Sequence, residues 1–413
     1  MQHPNEFLPS RLHKLSMLIL EALESVIESR RHADKELQTI LRSHDFEFVE
    51  REFVVEVLFD MLRNFRLLQA AAQTREYNHD LFSAWLALRN YTTASVKNLQ
   101  DLKKRITSLS TNRAMRYSYP DWLDAVGVAE LGERRWEREM SAQDEPAQAV
   151  IRTNLLKTSR EQLLKTLKNN RFEAKPFSRN DCGIILPTSA GIFRTDEFQL
   201  GHFEMQDASS QMVSPLTGVK PGMRVIDACA GAGGKTLHLA QLMKNKGRII
   251  ALDTSEKKLE DLKKRAIRAG VSIVETRTIT STKIIKRLIG KADVVLIDAP
   301  CSGLGVLRRN PETKYQIEPA WLDSLRAKQA EILASYSRMT APKGTLVYTV
   351  CSILKSEGED QVQKFIAEHP DFTLEKEQRF SPADDLYDGF YVGVMKRSEE
   401  VKQVKEIQNE ATA

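Results

Sequence analysis

Two cysteines and an aspartate in this chain have the types and placement to do covalent chemistry. Cys301 stands in Asp298-Ala-Pro-Cys301-Ser-Gly-Leu-Gly305, and Cys351 in Thr349-Val350-Cys351-Ser352. Each follows an apolar run, Ala292–Ile297 and Thr345–Val350, that reads as a buried strand. Pro300 ends the first strand, and Ser302, Gly303 and Gly305 make a tight loop after it. In open α/β sheets, ligands and chemistry collect at the carboxyl ends of the strands. Asp298 and both thiols are therefore expected on one rim. A thiol attacks as thiolate, a form that neighbouring positive charge favours. Arg308 and Arg309 are near in sequence, with their direction open. On the Asp298–Cys301 stretch alone, an acidic strand end with a buried cysteine is an equally simple reading, but two bystander cysteines that both follow strand ends would be a coincidence.

A second constellation lies upstream. Arg224–Ala228 reads as a strand that runs into Asp227-Ala-Cys229-Ala230-Gly231-Ala232-Gly233-Gly234-Lys235-Thr236 and then a helix. Three glycines let the backbone approach a ligand, and the helix start offers unpaired N–H groups. The spacing excludes a P-loop, which needs four residues between its first Gly and Gly-Lys, whereas two separate Gly231 from Gly234. It also excludes the dinucleotide fingerprint, whose third glycine is Thr236 here. The next strand ends in Asp253, placed to accept hydrogen bonds from ribose hydroxyls. A glycine turn, a helix and a ribose carboxylate without a phosphate pattern point to a nucleoside cofactor such as S-adenosylmethionine. A tight strand–helix turn is the plain alternative, and Cys229 reads there as a small packed residue.

The elements that must position these groups follow from periodicity. The region Met212–Lys396 alternates strands (Arg224–Ala228, Ile249–Asp253, Val294–Asp298, Thr345–Thr349) with helices (Thr236–Lys244, Glu256–Ala269, Trp321–Met339). That order predicts an α/β fold with a doubly wound, mostly parallel sheet. Residues 117–211 read as a small α+β segment. It has a broken pattern from Tyr117 to Ala149, a strand at Val150–Arg152, a helix over Thr158–Asn170 capped by Thr158 or Ser159, and strands at Gly183–Pro187 and Gly191–Arg194. Its cations Arg152, Lys157, Arg160, Lys165, Lys168 and Arg171 suit RNA docking or a linking role. Residues 1–116 read as all helix. Leu12, Leu15, Leu18, Ile19, Leu23 and Ile27 recur at three- and four-residue spacing, and glycine is absent. Residues 397–413 form a charged tail.

Composition narrows the class. The chain has 413 residues, 41 % hydrophobic and 28 % charged, with a formal net charge of +5. That is an ordinary globular balance with room for two or three cores, and a charge that permits nucleic acid without demanding it. The absence of a membrane-length apolar run and of a signal-peptide core predicts a cytoplasmic protein. Four cysteines, Cys182, Cys229, Cys301 and Cys351, form no CxxC pair and no zinc pattern, so free thiols and no metal are expected.

With both constellations in hand, the sequence resembles the Nop/Sun RNA cytosine-5 methyltransferases. Asp298–Gly305 with Arg308-Arg309-Asn310-Pro311-Glu312 matches the family's fourth motif, and Tyr348–Ser352 its sixth. Asp227–Thr236 matches the cofactor loop, Gln206–Gln211 the segment before it, and Asp388-Gly389-Phe390-Tyr391 the closing strand. The helical N-terminus, with Arg51-Glu-Phe53 and Leu62-Arg63-Asn64, resembles more loosely the NusB-type, RNA-binding domain of bacterial members that act on ribosomal RNA.

The resemblance implies a Rossmann-like methyltransferase sheet over residues 212–396 and a reaction on carbon 5 of cytosine in RNA. It implies Cys351 as the nucleophile on carbon 6, Cys301 as the group that helps release product, and Asp298 as the residue that holds the base. Residues 229–235, Asp253, Thr280 and Asp298 would bind S-adenosylmethionine. The expected partner is RNA, with ribosomal RNA ahead of transfer RNA, and the expected state is a monomer. A DNA enzyme would need only the Pro-Cys nucleophile. The rival from another class is a non-catalytic RNA-binding assembly factor. Three departures from the family pattern stand out. Ala232 and its neighbours replace a proline-containing loop, Val350 replaces threonine, and Thr278-Ile-Thr280-Ser281-Thr282 lacks the aspartate that approaches adenine.

Overall fold

A computed structural model describes residues 4–91, 98–189 and 191–399. Most of the charged tail falls outside the described residues. By packing, the chain forms two compact units. One comprises Met1–Ala147, Ser302–Ser324 and Pro382–Leu386, and the other comprises Gln148–Cys301, Leu325–Ser381 and Tyr387–Ala413.

The first unit is helical, with long helices at Pro9–Glu28, Phe48–Ala72 and Asp121–Leu131 among others. The apolar stripe expected from the spacing is the one that packs: Leu15, Ile19, Leu23, Phe53, Val57, Met61 and Trp85 are all fully buried. The stretch read as broken from Tyr117 to Ala149 instead holds two helices, Asp121–Leu131 and Glu133–Gln143. Gly127 lies in the middle of the first. It sits inside a helix because Trp136 packs against it, leaving no room for a Cβ, which would lie 2.2 Å from the indole. The Trp136 indole N–H donates to Asp124 at 2.8 Å. Within the same unit the fourth-motif tail is tied down by buried charges. Lys314 donates to the carbonyls of Arg63 and Tyr117 at 2.8 and 2.9 Å and lies 4.7 Å over the Tyr119 ring. Arg308 donates to the carbonyls of Glu145, Pro146 and Leu386.

The second unit begins with a four-stranded antiparallel sheet of β1 (Ala149–Thr153), β2 (Lys175–Pro176), β3 (Gly183–Leu186) and β4 (Phe203–Met205), ordered β2-β3-β1-β4. The helix Arg160–Asn169 crosses over to β2, and Ser159 caps it by accepting from the Gln162 N–H. The strand expected at Gly191–Arg194 is not formed. Gly191 adopts φ +75° and a 3-10 turn, Ile192–Arg194, follows with Ile192 buried.

The large sheet contains β5 (Arg224–Asp227), β6 (Arg248–Asp253), β7 (Val274–Thr278), β8 (Ala292–Asp298), β9 (Thr340–Val350), β10 (Phe372–Phe380) and β11 (Phe390–Arg397). Their order is β10-β11-β9-β8-β5-β6-β7. Strands β5 to β9 run parallel, and β11 inserts antiparallel beside β9. This is the doubly wound, mostly parallel α/β fold the alternation predicts. Period-two alternation divides the strands between two cores. Val225, Ile249, Val294 and Leu296 face one, with Leu237 and Leu259. Ile226, Ile250, Val295 and Ile297 face the other, with Ile285, Leu333 and Phe365.

Candidate active site

The parallel strands deliver Asp227, Asp253, Thr278, Asp298 and Val350 to one rim. Strands β8 and β9 are neighbours, with Asp298 in register with Thr349. Cys301 and Cys351 leave those two strands, and their Sγ atoms lie 3.2 Å apart. Both are half-buried free thiols. Beside them, Asp298 accepts from the Lys235 ammonium at 2.6 Å. Lys235 is buried, and its Nζ lies 5.0 Å over the Phe390 ring. Burial pulls the ammonium pKa down, yet the charge and hydrogen bond of Asp298 outweigh it. Cys351 and Asp227 add to the rise, so the net shift is upward.

A cavity of about 720 Å³ opens along the same rim, within the size range of small-molecule sites. Its lining includes Cys229, Ala230, Gly231, Ala232, Gly234, Lys235, Asp253, Thr280 and Asp298, all singled out from sequence. Gly233, the remaining candidate, is not part of that wall. With φ +88° it caps the helix Gly234–Leu242 and packs on Leu262. Asp253 accepts from the Gly231 and Ser255 N–H groups, both at 2.8 Å, which fixes the carboxylate at the cavity edge. Asp227 accepts from the Thr236 hydroxyl at 2.7 Å, and burial pushes its carboxyl up to about 7. Burial also pushes the Cys229 thiol well up, which suits a packed residue and not a nucleophile.

The comparisons with known proteins agree with this geometry. A family model described as 16S rRNA methyltransferase RsmB/F matches residues 216–403, and one described as the RsmF/B-like ferredoxin-like domain matches residues 119–192. The chain is 32 % identical over 288 residues to a probable ribosomal RNA small subunit methyltransferase B of Bacillus subtilis. The match covers 69 % of this chain and 63 % of that relative, so the chain spans less than two thirds of its length.

The chain belongs to the RsmB/F (Nop/Sun) methyltransferase family.

Its fold is similar to the crystal structure of PH0851, with a TM-score of 0.81 at 23 % identity, covering 93 % of this chain and 98 % of that one. It is also similar to a methyltransferase homolog protein from Pyrococcus horikoshii, with a TM-score of 0.62 at 27 % identity, covering 70 % and 99 %. Within this RsmB/F-type sheet, several residues shape the site that sequence reading passed over. Lys328, Glu331, Ile332, Ser335 and Tyr336, on one face of the helix Pro319–Ser337, form a further wall of the cavity. Their i, i+3, i+4, i+7 spacing was visible in the sequence, but nothing in it said which way that face turns. Burial pushes the Tyr336 hydroxyl up to about 12.

Arg152 was grouped with the RNA-docking cations, yet it is fully buried and donates to the Gly234 carbonyl at 2.8 Å and to Gln206. Arg265 donates to the Ala232 carbonyl at 2.6 Å and pairs with Glu204. The loop that lacks a proline is thus held by two arginines through its carbonyls. Lys157 and Arg160 also bind backbone carbonyls, of Leu200 and Arg268, and of Phe177 and Asn180. Lys165, Lys168 and Arg171 remain exposed.

The packing of Gly233 makes a direct prediction. A Cβ there would lie 2.0 Å from Leu262 Cδ1, in a backbone conformation that alanine resists. Gly233→Ala is expected to cost about 2 kcal/mol of stability. It should also weaken S-adenosylmethionine binding, measured as a lower denaturation midpoint and a higher calorimetric Kd.

Proposed function

We propose that this protein methylates carbon 5 of cytosine in RNA, using S-adenosylmethionine and a covalent Cys351–cytosine adduct, with small-subunit ribosomal RNA as the substrate. The observation that carries the reading is the pair of thiols 3.2 Å apart on adjacent strand ends beside the Lys235–Asp298 pair. Two inert cysteines would have no reason to share the rim with a half-buried ion pair and a nucleoside-sized cavity.

The lining fits the cofactor. The Gly231–Gly234 backbone gives close approach, Asp253 suits ribose hydroxyls, and Ile279 and Ile285 give apolar walls for a purine. Thr280, Ser281 and Thr282 line the same cavity and offer hydroxyls to the cofactor in place of a carboxylate. When bound, S-adenosylmethionine supplies a methyl group on a positively charged sulfur. Everything else falls to the chain.

Carbon 5 of cytosine is a weak nucleophile. The Cys351 thiolate adds to carbon 6, and the ring becomes an enamine whose carbon 5 can take the methyl group. As the thiolate adds, nitrogen 3 takes up the proton that the Cys351 thiol gave up, and Asp298, held by Lys235, accepts hydrogen bonds from that N–H and from the exocyclic amine, which stabilises the protonated adduct. Cys301, as thiolate, then takes the carbon-5 proton, and the Cys351–carbon-6 bond breaks, returning its electron pair to sulfur. Cys301 assists that release. The target base must leave its stack to reach the thiols, so RNA contacts extend beyond the pocket.

The ribosomal assignment draws on the matched relative's name and on the helical N-terminal unit, where a shallow cavity of about 420 Å³ is bordered by Arg30, Arg31, His32 and Lys35 together with Thr39 and with Glu36, which pairs with Arg31 at 3.1 Å. The protein is proposed to work as a monomer in the cytoplasm. Among the described residues, no helix is long and apolar enough to cross a membrane. The test is methyl transfer from labelled S-adenosylmethionine to RNA of a strain lacking the gene, with bisulfite mapping. Label in 5-methylcytosine of small-subunit RNA is expected. Label in transfer RNA alone would move the substrate, and no label in any RNA would leave a non-catalytic binding factor.

A further inference from the structure

The ladder between β8 and β9 stops at the Asp298–Thr349 pair. Beyond it, Cys301 and Cys351 sit on separate loops, and side chains must fix their spacing. A chain of hydrogen bonds built on buried side chains does so. The Gln329 amide donates one hydrogen to the Pro300 carbonyl at 2.9 Å and the other to Glu357 Oε1 at 3.0 Å. Glu357 Oε2 accepts from the Ser352 hydroxyl at 2.5 Å. The Ser352 hydroxyl oxygen accepts from the Leu354 N–H, and the Tyr348 hydroxyl donates to the Glu357 carbonyl at 2.8 Å. Gln329, Ser352, Glu357 and Tyr348 have no exposed surface. The bridge therefore joins the residue before Cys301 to the residue after Cys351.

We propose that Gln329 and Glu357 are positioning residues that clamp the two cysteine loops together, holding the thiols in the register that adduct formation and release require. This rests on the functional reading above for its catalytic consequence, though the clamp itself is a matter of geometry. Neither side chain is part of the cavity wall, so both act through the loops they join. A carboxylate buried among hydrogen-bond donors is costly to keep unless each oxygen is satisfied. Here both oxygens are engaged, one by each loop's link. Displacement of a reacting atom by about 1 Å costs on the order of 100-fold in rate, and loosening either loop acts at that scale.

The test reads the thiols without RNA. Phenylarsine oxide condenses with two adjacent thiols, forming two As–S bonds and releasing water, and peptide mass spectrometry locates the bridge at Cys301 and Cys351. Gln329→Leu keeps the volume and removes both donors. It is expected to weaken arsenical capture about tenfold or more and to lower kcat for methyl transfer about 100-fold, with the Kd for S-adenosylmethionine within about twofold of wild type. Glu357→Gln still accepts from Gln329 and can donate to Ser352, so it should hold both readouts within about fivefold. Ser352→Ala, which deletes one hydroxyl, serves as the milder variant if Gln329→Leu does not fold. Capture and transfer both unchanged in Gln329→Leu, or cofactor affinity falling as far as the rate, would overturn the clamp. If wild type methylates no RNA while Gln329→Leu still loosens capture, the clamp stands and the methyltransferase reading falls.

Discussion

Cys351→Ala is expected to lose methyl transfer by about 10⁴-fold or more and to form no covalent species with RNA. The size follows from the chemistry. Without a nucleophile at carbon 6, carbon 5 keeps its aromatic reluctance, and the enzyme retains only binding and orientation. Cys351 packs at the edge of a core whose other members are apolar, and alanine leaves that packing almost unchanged. The denaturation midpoint and the S-adenosylmethionine Kd should therefore stay close to wild type, separating a chemical loss from a folding loss. Cys351→Ala methylating within about tenfold of wild type would remove Cys351 from the reaction.

Asp298→Asn is expected to lower kcat/KM by about 10² to 10⁴-fold, read with labelled methyl groups on RNA. Two effects add. The asparagine no longer offers a carboxylate to the cytosine edge, and Lys235 loses the partner 2.6 Å away that holds its ammonium charged in a buried place. Burial then acts on Lys235 with less opposition, so its pKa falls from its raised value. With a raised lysine pKa, the stabilisation from the pair is present at neutral pH and lost as pH climbs through the folded value. The substitution should remove that stabilisation at neutral pH, so the variant is less stable there and loses less on raising the pH. A variant whose activity and neutral-pH stability both match wild type would show that Asp298 neither holds the base nor secures Lys235.

The reach of sequence reading differs between elements for physical reasons. Period-two apolar runs and the acidic residues that end them identified β5, β6 and β8 within a residue or so, because burial on both faces leaves an unmistakable pattern. Cysteines after two such strands, with a glycine turn elsewhere, marked the rim that the structure brings together. The two helices between Tyr117 and Ala149 are hidden from local pattern because what accommodates Gly127 in the first, the Trp136 ring, lies nine positions away across a turn. Arg152 and Arg160 looked like surface cations. Their role depends on carbonyls of distant loops that no local pattern reveals. Arg308 and Arg309 stand near Cys301 in sequence with their direction open, and Arg308 turns to carbonyls within the helical unit. Gln329 and Glu357 carry no motif that reading the residues alone would flag, since their partners are set by the sheet order.

The central claim is that Cys351 attacks and Cys301 releases, and one measurement addresses both halves. Cys301→Ala incubated with cognate RNA and S-adenosylmethionine should give a slow band on a denaturing gel, a protein–RNA adduct stalled after methyl transfer. Peptide mass spectrometry should place the nucleotide on Cys351, and adding Cys351→Ala should abolish the band. No adduct from Cys301→Ala on an RNA that wild type methylates, or an adduct that survives the loss of Cys351, would contradict the assignment.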